Sequence, residues 1–336
     1  MTVTSRSRLP EPLFHRRRGR TVRVAAALLA CTASAAFAPT RPMTSAADPI
    51  GMTSGFYVNT ASSPATWARN NSGDPRAARI QTSIGSRPIA RWFSNEGGNI
   101  AGAVAGYVGA ADSHDKLPVL VAYNIPGRDA CGGHSGGGAG SVGAYRTWIA
   151  TFAAAIGTRP AIVVIEPDAL GDFSCMSAAA VQERLGMLTY ATEKFKEKAP
   201  NTWAYLDGGN AGWVAPSTMA SRLSTAGVHN VRGFSVNVSN YYTTASSVAY
   251  AGSVNASLGY SAGFVVDTSR NGNGSSGQWC NPPGRRLGGP AQLGGGAEML
   301  LWVKTPGNSD GQCGIAPNTP AGQFDPAVAV RLIDGT

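Results

Sequence analysis

Acidic side chains of this chain follow directly after short apolar runs, at the position where many α/β enzymes hold their catalytic groups. Residues 161–165 read Ala-Ile-Val-Val-Ile, a run typical of a buried strand. Glu166 and Asp168 come next, on either side of a proline. Four similar runs also end in an ionisable side chain: Asp129, Asp207, Asp267 and Lys304. Because parallel strands bring their carboxyl ends to one rim, the pattern predicts a carboxylate-rich site for proton transfer.

Asp168 is the best candidate for a carboxyl group that stays protonated. It follows an apolar run and a proline, so burial can raise its pKa, and an ionised Asp129 nearby would raise that pKa further. Cleavage of a glycosidic bond needs such a pair, with one carboxyl group protonated and another ionised. Glu166 is expected to make a structural salt bridge or hydrogen bond. The alternative for all three acids is a buried ion-pair network with Arg128.

The elements that must position these acids repeat along the chain. Strand-like runs are separated mostly by about 30 to 40 residues, with helix-like segments between several of them. This spacing predicts an α/β fold, a parallel β/α barrel of about seven or eight strands. The clearest helices are predicted over 142–156 and 178–199, each with one apolar face. The strand-like runs cover residues 56–58, 89–92, 119–123, 162–165, 203–206, 234–238, 264–266 and 299–303.

The N-terminal region has the features of an export signal. Five arginines lie between residues 16 and 23, an apolar run covers 24–38, and small residues follow. The apolar run is too short to span a bilayer, so residues 1–47 are predicted to be a secretory signal peptide with its processing segment, although Cys31 could also be a lipoprotein acceptor. A secreted protein without stable membrane association is expected. Residues 48–336 then form one catalytic domain.

The charge of the chain lies mostly in this leader. The formal net charge is +9, but residues 1–47 hold eight arginines and one glutamate. Twenty basic and eighteen acidic residues remain from residue 48 onward, so charge gives no reason to expect a nucleic-acid or anionic-lipid partner. No C-x-x-C pair occurs, and only three histidines lie beyond the leader. The sequence therefore predicts no metal and no cofactor.

The cysteines beyond the leader predict disulfide bonds. An even number of cysteines in an exported chain favours two bridges, and three pairings are possible. The sequential pairing would join the loops that carry the acids. The four residues are Cys131, Cys175, Cys280 and Cys313.

Several motifs together resemble glycoside hydrolase family 6, the inverting cellulases. The first two are Tyr-Asn-Ile-Pro-Gly-Arg-Asp at 123–129 and Ile-Glu-Pro-Asp-Ala-Leu at 165–170. The resemblance continues in order through residues 205–213, 265–272, 278–284 and 302–311. It implies a distorted, TIM-like α/β barrel with an open groove. It also implies hydrolysis of the β-1,4-glucosidic bond of cellulose or related β-glucans, the polysaccharide partner expected for this chain.

The same resemblance implies roles for the acids. Asp168 corresponds to the general acid, and Asp129 to the residue that raises its pKa and helps to deliver the attacking water. Asp310 matches the position of the catalytic base, which can act through a chain of water molecules. Inversion requires the acid and the base to lie roughly 6.5–9.5 Å apart.

Substrate contacts are also implied by the resemblance. Tyr123 corresponds to a tyrosine beside the distorted sugar, Asp207 to a carboxylate of the groove and Lys304 to a contact with a sugar hydroxyl. Three tryptophans are candidates for stacking against the apolar faces of sugars, or alternatively for the core: Trp92, Trp213 and Trp279.

Three positions depart from the family pattern. Ala130 intervenes between the Arg-Asp pair and Cys131. Asn210 and Asn308 replace a histidine and a glutamate, which keeps hydrogen bonding in the substrate site but removes ionisation. We therefore predict a monomeric, metal-independent endoglucanase. The alternatives are a cellobiohydrolase of the same family and a non-catalytic glucan-binding protein, while a nucleotide-binding enzyme lacks the expected glycine motifs.

Overall fold

The computed structural model describes residues 48–95, 98–132, 136–171 and 173–336. The predicted signal peptide, residues 1–47, lies outside the described residues. All described residues fall within one structural unit.

The centre of the fold is one eight-stranded sheet. Its strands run in the order β1-β2-β3-β4-β5-β6-β8-β7, and all neighbours are parallel except β7 and β8, which are antiparallel. Every residue of β2, β3 and β5 is buried, as expected of strands covered on both faces. The strands are β1 Arg91–Phe93, β2 Val119–Ala122, β3 Ala161–Ile165, β4 Thr202–Asp207, β5 Gly233–Val236, β6 Gly263–Asp267, β7 Gln292–Leu293 and β8 Met299–Leu301.

In the described part of the chain, eight α-helices connect or flank these strands. Several begin at a hydroxyl residue that caps the first turn: the side chains of Ser141, Ser177 and Thr243 each accept a backbone N–H three residues on. The helices are α1 Ser63–Asn70, α2 Ala77–Ile80, α3 Ile100–Asp112, α4 Val142–Ile156, α5 Ala178–Lys198, α6 Pro216–Thr225, α7 Thr244–Leu258 and α8 Pro326–Asp334.

The sheet curls until its first strand approaches the end of β8. The backbone N–H of Ala90 donates to the carbonyl of Trp302 at 2.9 Å, and the indole Nε1–H of Trp92 donates to the carbonyl of Val303 at 2.8 Å. We call these four residues the barrel seam. Because they join the two sides by single hydrogen bonds and not by a strand pair, the predicted barrel is confirmed in its distorted form.

The core has two main layers that follow from strand alternation. Side chains such as Val121, Val164 and Tyr205 point into the barrel. The neighbouring residues Leu120 and Val163 point outward, onto the surrounding helices. Both faces of each central strand are therefore apolar and buried, as expected of a parallel sheet covered on both sides.

Most predicted elements are confirmed, one is not, and one strand appears that the sequence does not predict. The helix predicted over 142–156 is found as α4, and the one predicted over 178–199 ends one residue earlier as α5. The strand predicted over 56–58 is wrong, because Phe56 makes only an isolated bridge to Leu117. Strand β7 was not predicted, since its two residues are exposed and glycines follow them. Among the helices of the described part of the chain, none has the length and hydropathy needed to cross a membrane.

Candidate active site

The candidate site lies at the carboxyl ends of the strands. Asp129, Glu166 and Asp168 follow β2 and β3, and all three adopt a left-handed backbone, with φ angles of 54°, 49° and 68°. Non-glycine residues rarely adopt this conformation, which costs energy and is concentrated at functional sites. The two loops are thus held in a strained arrangement that presents their carboxyl groups at one rim.

Asp168 is half-buried and surrounded by other carboxylates. Burial, followed by the negative charges of Asp207 and Asp129, raises its pKa to about 8, with Lys304 acting in the opposite direction. Its carboxyl group is therefore protonated at neutral pH. A carboxylic acid in this state can donate a proton to a leaving oxygen.

Asp207 lies behind Asp168, with only 2% of its surface exposed. Its Oδ2 accepts the backbone N–H of Asp168 at 2.9 Å, and its Oδ1 accepts the hydroxyl of Ser235 at 3.2 Å. Burial raises the pKa of Asp207 to about 6, although these hydrogen bonds favour its ionised form. Asp207 therefore supports the Asp168 loop, and its contact with substrate stays a prediction.

Glu166 joins the loops after β2 and β3. It is buried, and its carboxylate accepts the backbone N–H groups of Asn124 and Ile125, each at 2.9 Å. Burial raises its pKa to about 7, and the two N–H groups partly offset this effect. The predicted structural hydrogen-bonding role of Glu166 is confirmed by these contacts.

Asp129 stands at the turn after this tethered segment and is half-buried. A Cβ atom on Gly132 would lie 2.3 Å from its Oδ1, so the loop closes tightly over this carboxylate. The neighbouring Arg128 stacks over the ring of Tyr123 at 4.5 Å and donates to the Tyr123 carbonyl at 2.9 Å. Arg128 thus holds the loop and the tyrosine together.

Asp310 lies between two cations. Arg270 Nη1 is 2.8 Å from its Oδ2, and Lys304 Nζ is 2.8 Å from its Oδ1. The hydroxyl of Tyr241 and the backbone N–H of Asn281 also donate to Oδ2. Burial opposes ionisation, but the two cations outweigh it and hold the pKa of Asp310 well below its usual range. Asp310 is therefore ionised and, by itself, a weak proton acceptor.

Asp267, for which sequence reasoning proposed no role beyond its place on the rim, organises the opposite side of the site. It is fully buried and accepts backbone N–H groups from Ser239, Ser269, Val303 and Lys304. One carboxylate thus fixes the loops after β5, β6 and β8, including the residue that pairs with Asp310.

Sequence reasoning also missed Arg270 and Tyr241. Arg270 is only 1% exposed, lies 4.3 Å from the Tyr241 ring and forms the ion pair with Asp310. Its position three residues beyond the end of β6, inside a segment already noted for its family resemblance, is the signal that could have identified it.

The predicted aromatic contacts fall into two groups. Trp92 and Tyr123 are half-buried and pack edge to face, with ring centroids 5.1 Å apart. Trp213 and Trp279 are 43% and 46% exposed. The exposed pair has the accessibility that stacking against a sugar requires, and Trp92 lies at the barrel seam.

The two asparagines that depart from the family pattern make contacts within the protein. Oδ1 of Asn210 accepts the backbone N–H of Gly212 at 3.0 Å. Oδ1 of Asn308 accepts the hydroxyl of Ser63, at the start of α1, at 2.9 Å. Each therefore anchors a loop of the site.

Two disulfide bonds brace the loops around the acids, as predicted. The sequential pairing is the one that forms, Cys131–Cys175 and Cys280–Cys313. The first joins the loops after β2 and β3, and the second joins the segment after β6 to the Asp310 loop.

The chain is similar to known proteins over most of its own length. The sequence profile described as "Glycosyl hydrolases family 6" matches residues 52–336. The chain is 56% identical over 309 residues to Endoglucanase 1 of Streptomyces halstedii, covering 91% of this chain and 96% of that protein. It is 42% identical over 285 residues to Endoglucanase A of Cellulomonas fimi, covering 83% and 61% of the two chains.

The fold is also similar to that of a solved endoglucanase structure. The endoglucanase Cel6 from Mycobacterium tuberculosis, solved in complex with methyl-cellobiosyl-4-deoxy-4-thio-β-D-cellobioside, matches with a TM-score of 0.79 at 37% identity. The match covers 86% of this chain and 99% of that one.

Proposed function

Because the chain belongs to glycosyl hydrolase family 6, we propose that it is a secreted endo-β-1,4-glucanase that hydrolyses cellulose or related β-glucans with inversion at the anomeric carbon. The chain is a glycoside hydrolase of the cellulase class. The observation that carries the proposed mechanism is the contrast between two carboxyl groups of one rim: Asp168 lies against the buried Asp207, whereas Asp310 forms ion pairs with Arg270 and Lys304.

In this mechanism Asp168 protonates the glycosidic oxygen as the bond to the anomeric carbon breaks. Its raised pKa supports the role, because the proton is still present at neutral pH. Asp129 and Asp207 supply part of this effect through their negative charges. A water molecule attacks from the opposite face of the sugar, which inverts the configuration.

The attacking water must lose a proton, and Asp310 is the proposed base. The proton can reach Asp310 directly or through intervening water, and the ion pairs of Asp310 with Arg270 and Lys304 lower its basicity for either route. The fixed negative charge of Asp310 also stabilises positive charge that develops on the sugar ring in the transition state. Asp129, on the Asp168 side, is suited to orient the attacking water.

Aromatic and cationic side chains are proposed to bind the glucan. Trp213 and Trp279 offer exposed indole faces, which can cover the apolar C–H faces of glucose units. Lys304, only partly buried, is a donor for a sugar hydroxyl. Tyr123 and Trp92 form the half-buried wall beside Asp129.

Internal cleavage is supported by the names of the relatives. The more similar chains are endoglucanases, at 56%, 43%, 41% and 42% identity, whereas a probable exoglucanase of Podospora anserina is 30% identical. We therefore favour endo-action over cellobiohydrolase activity.

Hydrolysis of carboxymethyl cellulose tests this function. Viscosity and reducing ends are followed together for the wild type, for Asp168→Asn and for Asp112→Asn, an exposed residue of α3. We expect a rapid fall in viscosity with few reducing ends, lost by a factor of about 10³ or more in Asp168→Asn and retained in Asp112→Asn. Reducing ends that accumulate without loss of viscosity would indicate exo-action. Binding without hydrolysis would indicate a glucan-binding protein.

We also propose that residues 1–47 direct export and that residues 48–336 act as a monomeric catalytic domain. A reporter fused to residues 1–47 should appear outside the cytoplasm. Sedimentation of residues 48–336 should give the mass of one chain.

A further inference from the structure

We propose that Gly171 is a positioning residue that sets the location of the Trp213 indole and thereby the affinity for the glucan. This inference rests on the proposed function, since it assigns to Trp213 a sugar in the groove. Gly171 lies three residues after Asp168, and its backbone N–H donates to the Asp168 carbonyl at 3.0 Å. Three residues span at most about 11 Å, so the indole serves a sugar close to the bond that is cut.

The backbone of Gly171 does not itself require glycine. Its φ angle is not among the positive values found in this chain, so an L-residue could adopt the same conformation. What requires glycine is the space above its Cα atom. A Cβ atom there would lie 2.3 Å from Cη2 and Cζ3 of Trp213 and 2.6 Å from Cζ2, far inside van der Waals contact. The Trp213 indole therefore rests directly on the Gly171 backbone.

The Trp213 loop is fixed from its other side as well. The preceding residue, Gly212, donates its N–H to Oδ1 of Asn210. A Cβ atom on Gly212 would lie 1.7 Å from the Tyr242 hydroxyl, so that ring closes against the loop. These contacts fix the backbone that leads into Trp213, so a methyl group added at Gly171 would push the indole toward solvent, away from its place on the Gly171 backbone. The remaining 43% exposure of Trp213 belongs to the surface that faces solvent.

Gly171 is also held from behind. Arg222 on α6 donates to the carbonyls of Leu170 and Gly171, at 2.5 and 3.1 Å, and its guanidinium stacks on Phe173 at 4.2 Å. The Gly171 backbone is therefore restrained, so an added Cβ atom would displace the indole and not the loop. The loop that carries the acid thus also fixes the sugar platform, so that binding and proton donation share one rigid support.

A double-mutant cycle tests this assignment with Gly171→Ala, Trp213→Ala and the combination, using cellohexaose as substrate. Gly171→Ala should raise KM about tenfold, equivalent to about 1.4 kcal/mol, with kcat within about twofold because Asp168 is unaltered. In the Trp213→Ala background, the same change should alter KM by less than about twofold. Gly186→Ala, at an exposed helical position with open space for a Cβ, is the matched control and should leave both constants unchanged.

Thermal unfolding of the same four proteins provides a readout that does not depend on catalysis. Gly171→Ala should lower Tm by about 3 to 6 °C when Trp213 is present and by much less when it is absent. Additive effects of the two substitutions on KM and Tm, or an unchanged KM in Gly171→Ala, would overturn the assignment. If the effects of the two substitutions on Tm are non-additive but the protein hydrolyses no glucan, the contact between Gly171 and Trp213 would be supported and the proposed function refuted.

Discussion

At the scale of single residues, the site depends on the different protonation states of Asp168 and Asp310. Asp168 holds its proton because burial and neighbouring charges oppose ionisation, whereas Asp310 is ionised because two cations surround it. Asp168 and Asp310 are chemically identical side chains, but their environments shift their pKa values in opposite directions. A proposed general acid and a proposed general base require such a difference.

Replacement of Asp207 by asparagine should shift the pH profile of activity. The introduced amide would keep an oxygen for the Asp168 N–H but lose the charge that helps to raise the pKa of Asp168. Asp168 would then lose its proton at lower pH, so the alkaline limb of kcat/KM should move down by about one unit. Full pH profiles of Asp207→Asn and the surface control Asp112→Asn provide the measurement. An unmoved limb in Asp207→Asn would mean that the charge of Asp207 does not contribute to the raised pKa of Asp168.

Glu166 should make stability depend on pH in a defined direction. Its pKa rises from 4.5 to about 7 on folding, so the folded state binds the proton more tightly. This contribution to stability is fully present below pH 4.5 and is lost as the pH rises through 7. The free energy of unfolding of the wild type, relative to Glu166→Gln, should therefore fall by about 3 kcal/mol between pH 4 and pH 8.

Urea unfolding at several pH values measures this difference, with Glu183→Gln, on the exposed face of α5, as the control. A constant difference between wild type and Glu166→Gln would mean that Glu166 titrates alike in the folded and unfolded chain.

At the scale of elements, the disulfide between Cys131 and Cys175 should stabilise the pair of loops that carry Asp129 and Asp168. It closes a separation of 44 residues, for which loop entropy predicts about 4 kcal/mol. The double variant Cys131→Ser/Cys175→Ser should lose stability of that order in urea unfolding, and its kcat should fall because the Asp129 loop is less restrained.

The corresponding variant at Cys280 and Cys313, with a separation of 33 residues, is the matched comparison. It should act on the Asp310 loop instead. Equal activity in the first double variant and the wild type would show that the β2 and β3 loops are held by their hydrogen bonds alone.

The sequence predicts the sheet well because its strands are buried on both faces. A run such as 161–165, short and rich in β-branched residues, is typical of a covered strand. Strand β7 could not be predicted, because it is an exposed edge of two residues stabilised only by pairing with β8. The segment 56–58 has strand-like composition, but within it only Phe56 forms a β-bridge, an isolated one to Leu117.

The same distinction holds within the site. The positions of Asp129, Asp168 and Asp310 follow from strand ends and family resemblance. The orientation of Asp207 toward the Asp168 backbone, and the pairing of Arg270 with Asp310, depend on left-handed turns and on contacts between distant loops. Neither leaves a local pattern in the sequence.

At the scale of the whole molecule, one barrel carries the proposed acid and the carboxylates that support it at the carboxyl ends of its strands. Asp267 illustrates this arrangement, because one buried carboxylate fixes three loops from different parts of the chain. A change in any of these loops is therefore expected to reach the others.

The barrel seam has a consequence for the order of folding. It joins Trp92 to Val303, 211 positions apart, so the entropy of closing the chain must be overcome before its hydrogen bonds form. The seam should then assemble after the transition state. Trp92→Phe, which removes the indole donor, should accelerate unfolding about fivefold and leave the refolding rate within about twofold. Refolding that slowed to the same degree would instead place the contact between the two ends of the sheet among the earliest to form.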